Sequence, residues 1–141
     1  MTLRVVKWSD AFKTGIRVID NDHRMLFEIT ERLVESANRN EHPDALNDII
    51  DCLVDYAEGH FEREETYMAK CGFPELQAHQ IEHQKATEKI YEIRDLYRSH
   101  PDQIDIVEVA EFFTRWLVEH IRDKDQRYVP YVRGEKSVSA G

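Results

Sequence analysis

Cysteine is scarce: Cys52 and Cys71 are the only two in 141 residues. On one continuous helix they stand about 28 Å apart at a rise of ~1.5 Å per residue, beyond the reach of a disulfide. Two unpaired thiols suit a reducing compartment, and each reads most simply as a small apolar filler. Glycine and proline are sparse too, at five and four, which argues against a turn-rich β architecture and leaves long helices. No apolar run is long enough to cross a bilayer, and none near the N-terminus has the form of a secretory signal, so the expected compartment is the cytosol. Positive charge is in deficit. The chain carries 28 acidic against 19 basic residues, a formal net charge of -9, which repels phosphate backbones and excludes nucleic acid as a partner.

What is present is helical periodicity. The first nineteen or so residues read as an ordered arm, with Trp8, Phe12, Ile16 and Ile19 available to a core. A first helix is expected from Asp20-Asn21-Asp22, residues that cap well, with the stripe Leu26, Phe27, Thr30, Leu33, Val34, Ala37. Pro43 opens a second helix carrying Leu46, Ile49, Ile50, Leu53, Ala57, Phe61 and Met68, and Gly72 closes it. Pro74 opens a third, with Leu76, Ile90, Ile93 and Leu96 at helical spacing, ending before Pro101. The fourth shows Ile106, Val109, Phe113, Trp116, Leu117 and Ile121, and is expected to end before Pro130. Four helices with short loops pack as an all-α, up-down-up-down antiparallel four-helix bundle with an ordered N-terminal arm. Residues 1–133 are expected to form one domain, and residues 134–141 a frayed tail without apolar periodicity. Outer faces with few apolar residues make a monomer the expectation.

Five of the seven histidines fall on these apolar stripes: His23, His60, His79, His83 and His120. His60 shares a helix face with Glu64, and His79 with His83, because residues four apart stack one above the other. In an antiparallel bundle the start of the first helix, the end of the second, the start of the third and the end of the fourth share one end. All these groups therefore meet in one layer. Buried there without partners, five imidazoles and a carboxylate would cost several kcal/mol in unmet hydrogen bonds and desolvation. Metal coordination removes that cost. The donors are too many for one tetrahedral zinc and suit two metals bridged by carboxylates. Nitrogen and oxygen ligands without thiolate favour iron, although ligand type alone leaves manganese and zinc open.

At this point the residues resemble the hemerythrin family, and its single-domain bacterial branch in particular, up to about Tyr131. The likeness rests on Gly15-Ile16-Arg17-Val18-Ile19-Asp20-Asn21-Asp22-His23, on His60-Phe61-Glu62-Arg63-Glu64-Glu65 with Met68, on His79-Gln80-Ile81-Glu82-His83, and on Trp116-Leu117-Val118-Glu119-His120 with Asp125. Members of this family are themselves standard examples of the up-down-up-down bundle. The resemblance implies that His79, His83 and His120 hold one iron and that His23 and His60 hold the other. Glu64, Asp125 and an oxo or hydroxo group would bridge them, and dioxygen would bind reversibly at the vacant position of the two-histidine iron. It thus implies an oxygen carrier, store or delivery protein rather than an enzyme, with dioxygen as ligand; a protein acceptor of oxygen, of no identity the sequence gives, is a further candidate partner.

The spacing at the end of the fourth helix is irregular. His120 and Asp125 are five residues apart, about 140° around a regular helix, so a π-bulge or unwinding is expected in the last turn. Leu26, Phe61, Trp116 and Leu117 are placed to wall the site with apolar surface that keeps water and protons away. Asp22, Glu62, Glu65 and Glu82 read mainly as solvated faces, with room for one partner of a ligand histidine. The alternatives are oxygen or redox sensing through the same centre, and oxidase, peroxidase or iron-handling activity. A ferritin-like site would want Glu-x-x-His on two helices, which this chain lacks. His79-Gln80-Ile81-Glu82-His83 also matches the inverted zinc-peptidase signature, but a peptidase would leave His23, His60, Glu64 and His120 without a role.

Overall fold

In the computed structural model, residues 5–135 are described. Four long helices carry the fold: α1 (Arg17–Asn38), α2 (Pro43–Cys71), α3 (Leu76–Ser99) and α4 (Ile106–Asp123), followed by a short α5 (Val129–Val132). No strand occurs among the described residues. Helix α1 packs on α2 and α4, and α2 packs on α3, while α3 and α4 approach each other less closely. The four-helix bundle expected from the periodicity is the fold observed. Most of the tail expected over residues 134–141 lies outside the described residues.

Helix boundaries follow local chemistry. Pro43 stands in the first turn of α2, and the His42 ring nitrogen accepts from the Asp44 N–H at 3.1 Å. Gly72 ends that helix at φ 67°, the left-handed conformation that glycine takes without a Cβ penalty, and Phe73 N–H returns to the Met68 carbonyl at 2.9 Å. Asp105 caps α4 by accepting from Val107 N–H at 2.9 Å.

Helix α1 starts earlier than the Asp20-Asn21-Asp22 expectation, at Arg17. The reason is that Asp20 does not cap the helix from outside. From within the first turns it reaches back to the arm, accepting from Thr14 N–H at 2.8 Å, Thr14 Oγ1 at 2.7 Å and Gly15 N–H at 3.1 Å. Helix α3 also differs from expectation at its far end, where Leu96 is exposed and Tyr97 takes the buried position. Helix α4 stops at Asp123 rather than running on towards Pro130, which instead lies within α5. Both cysteines lie on α2 as free thiols, but Cys52 is exposed and so is not a core filler.

The interior divides in two. A long core runs through Leu26, Leu33, Ile50, Phe61, Ile90, Phe113 and Ile121. A small second cluster of Ile19, Met68, Phe73, Tyr128 and Val129 seals one end of the bundle. Along α1 the order is Ile19, His23, Leu26, and along α2 it is Phe61, Glu64, Met68. The polar layer is thus pressed between two apolar masses.

Candidate metal centre

α1, α2 and α4 deliver one histidine each and α3 two, through the same periodicity that builds the core, so all five imidazoles are buried at 6 % exposure or less, and Glu64 and Asp125 are fully buried. One donor atom from each of Glu64, His79, His83, His120 and Asp125 lies within 4.8 Å of the others, and the same holds for His23, His60, Glu64 and Asp125. The two carboxylates belong to both groups. Asp125 turns Oδ1 towards His79 Nε2 and His120 Nε2, each at 3.1 Å, and Oδ2 towards His23 Nε2 at 3.1 Å. Glu64 turns Oε1 towards His60 Nε2 at 2.9 Å and His83 Nε2 at 3.4 Å, and Oε2 towards His23 Nε2 at 3.7 Å.

Close as these atoms are, most are not aligned for hydrogen bonding. His23 Nε2, His79 Nε2, Glu64 Oε1 and both Asp125 oxygens are buried without a hydrogen-bond partner. His83 and His120 bring their Nε2 atoms to 3.3 Å of one another. Imidazole nitrogens and carboxylate oxygens converging on shared points, rather than on each other, are what cations between them would require. The donor set fits a pair of metals: five nitrogens and two bidentate carboxylates, with no thiolate.

Asp125 reaches this position because α4 unwinds. Regular helix ends at Asp123, and Asp125–Arg127 forms a 3₁₀ turn that swings the carboxylate inward. The spacing of five residues is resolved by unwinding and not by a π-bulge.

Electrostatics bind the layer together. Burial alone would raise the Glu64 and Asp125 carboxyls, but the surrounding imidazoles outweigh it and hold both well below the usual carboxylate range. Burial would likewise lower His23, yet Asp125 and Glu64 push it up to about 10. The layer demands positive charge, whether from protons or from metal.

The apolar surround has definite geometry at two of the four expected residues. Phe61 stacks on the His83 ring at 4.0 Å between centroids, and Trp116 stacks on His120 at 4.4 Å. Leu26 and Leu117 are buried in the adjoining core, one turn from His23 and His120. Near-parallel stacking confines each imidazole to one plane.

Three residues exceed or correct the sequence expectation. Tyr128, which no sequence pattern singles out, is fully buried and donates its hydroxyl hydrogen to Glu64 Oε2. The only hint in the sequence is a tyrosine three residues beyond Asp125 in a stretch without periodicity. Asp22 is no solvated face: it is buried and accepts from His60 Nδ1 at 3.0 Å. Glu65 accepts from His83 Nδ1 at 2.9 Å, so two acids, not one, hold ligand histidines. Glu62 is exposed, and Glu82 is half-buried and outside both donor groups.

Tyr128→Phe isolates the hydroxyl. Loss of a buried hydrogen bond to a charged acceptor is expected to destabilise the chain by about 2 kcal/mol while leaving both metal positions filled. Urea unfolding with parallel metal analysis checks both parts.

Comparison with known proteins agrees with this layout. Residues 14–132 match the family model described as the hemerythrin HHE cation binding domain. A bacteriohemerythrin of Clostridium acetobutylicum is 35 % identical over 125 residues, covering 86 % of this chain and 97 % of its own length. A bacteriohemerythrin of Pseudomonas aeruginosa is 36 % identical over 130 residues, covering 92 % and 83 %. Myohemerythrin of Riftia pachyptila is 33 % identical over 121 residues, covering 86 % and 88 %. The crystal structure of wild-type hemerythrin superposes with a TM-score of 0.83 at 27 % identity, covering 92 % of this chain and 98 % of that one.

Proposed function

The chain belongs to the hemerythrin family, and from that membership we propose that it binds dioxygen reversibly, as a carrier, store or delivery protein, at two iron ions held in the bundle. The observation that carries the proposal is that Glu64 and Asp125 are common to both donor groups. His79, His83 and His120 would hold one iron and His23 and His60 the other, with Glu64 and Asp125 available to both. When bound, the iron pair supplies the electrons and the Lewis acidity that hold dioxygen.

The remaining work belongs to side chains. Three imidazoles on one side and two on the other would leave the His23/His60 position one donor short, with room there for the ligand. Leu26, one turn from His23, and Phe61, whose ring lies 5.9 Å from that of His60 as well as against His83, cover the two-histidine side, while Trp116 and Leu117 cover His120; together they would keep water and mobile protons out of the layer, which favours release of oxygen unchanged. Tyr128 is no proton source. Burial first, and then Glu64 and Asp125, raise its hydroxyl well above the usual phenol range, so it keeps its hydrogen on Glu64.

Anaerobic reduction of iron-loaded protein, followed by oxygen and then by its removal, tests the proposal. A visible absorbance that appears with oxygen and disappears without it is the expected result; irreversible oxidation on first contact contradicts it. Trp116→Ala should increase the rate of irreversible oxidation about tenfold by admitting water beside His120, an effect no larger than positioned proton transfer commonly has. The decay of the oxygenated spectrum over repeated cycles checks this.

A further inference from the structure

The two sets of donors are not supported alike. Among the histidines of the two-histidine position, His23 has a buried Nδ1 without a hydrogen-bond partner. His60 is the opposite case. Its Nδ1 meets Asp22 Oδ2 at 3.0 Å, and the same oxygen accepts from Arg63 Nε at 2.8 Å. Asp22 Oδ1 accepts from Arg63 Nη2 at 2.9 Å and from Tyr56 OH at 2.9 Å. Four donors thus occupy one buried carboxylate. Gly59 makes room for the arrangement, since a Cβ there would stand 3.1 Å from Arg63 Nη1. At the three-histidine position the corresponding carboxylate is Glu65, whose side chain is 27 % exposed and shares its charge with water.

We propose that Asp22, fixed by Arg63 and Tyr56, is a positioning residue that sets the electron donation of His60 and so tunes the two-histidine metal separately from its neighbour. The inference deepens the di-iron reading and rests on it. A carboxylate that accepts the Nδ1 hydrogen fixes the tautomer, aims Nε2 at the metal and makes the ring a stronger donor. Low local dielectric at Asp22 strengthens that pull, and solvent at Glu65 weakens it. Tyr56 and Arg63 moderate it by drawing Asp22's charge towards themselves. Removing the charge and removing a competing donor therefore act in opposite directions.

The test uses two near-isosteric variants, Asp22→Asn and Tyr56→Phe, with Glu65→Gln as comparison. Titrating metal-free protein with Co(II), followed by its visible absorption, resolves two binding steps. Asp22→Asn is expected to weaken one step about tenfold, the size usual for loss of such a partner, and to leave the other unchanged; Glu65→Gln weakens the other step. In the iron-loaded protein, Asp22→Asn raises the midpoint potential and Tyr56→Phe lowers it. A merely structural role would lower the melting temperature of both variants without opposite shifts in potential. Parent protein that takes up two ions, with Asp22→Asn and Tyr56→Phe both titrating at the parent's potential, overturns the inference and leaves the oxygen-binding proposal standing. A parent that takes up fewer than two ions overturns both. Should Asp22→Asn fail to fold, Tyr56→Phe decides by the sign of its shift.

Discussion

Replacing Glu64 with alanine is expected to empty both metal positions, not one. Glu64 is fully buried and places Oε1 between His60 and His83 while Oε2 faces His23. Its removal takes an anionic donor from each metal at once and leaves Tyr128 without its acceptor. Truncating one buried partner of a charged network costs ~3–5 kcal/mol, roughly a hundredfold to several thousandfold in affinity if expressed as binding. His79→Ala is the contrast, since His79 faces only the group that contains His83 and His120. Iron per folded chain, with far-UV circular dichroism to confirm the helices, separates the two. Retention of one tightly bound iron in Glu64→Ala would mean that the carboxylate is not shared.

Stripping the metal from the native chain should produce the second large effect. A ligand present at about a thousand times its dissociation constant stabilises the folded state by ~4 kcal/mol, so the metal-free protein is expected to melt roughly 10–15 °C lower. The pH dependence should also change. Without metal, imidazolium rings answer the two carboxylates. His23 has its folded value raised from 6.5 to about 10, so the stability it contributes is fully present below about 6.5 and lost as pH rises towards 10. Glu64 and Asp125 have lowered values, so their contribution is lost as pH falls through the acid range. Metal-free protein is therefore most stable in mildly acidic solution and weakens through neutrality. Loaded protein loses stability on the acid side, where protons compete with metal for the same nitrogens. Melting curves of both forms across pH check the crossing. Parallel profiles would contradict it.

The bundle and most of the centre were legible in the sequence for one physical reason. A histidine on an apolar stripe must find a partner once buried, and five of them at one level of an antiparallel bundle, with a glutamate among them, point to a shared cation. Asp125 was harder. It lies beyond regular helix, in a 3₁₀ turn, so no stripe contains it, and only the family resemblance singled it out. Asp22 follows the opposite logic. It sits beside His23 and off the stripe, where an acid ordinarily meets water, and its burial depends on Arg63 and Tyr56 from another helix. Tyr128 depends on how the chain folds back after α4, which no helical period encodes. The early start of α1 was hidden because Asp20 binds backward to Thr14 and Gly15, a contact that resembles a cap in sequence and is not one in space.

Diffraction from crystals of the iron-loaded protein, collected at the iron absorption edge, reaches the central question most directly. Two anomalous peaks should appear inside the bundle, one near His79, His83 and His120 and one near His23 and His60, with Glu64 and Asp125 touching both. A single peak, or peaks away from those carboxylates, would contradict the paired centre.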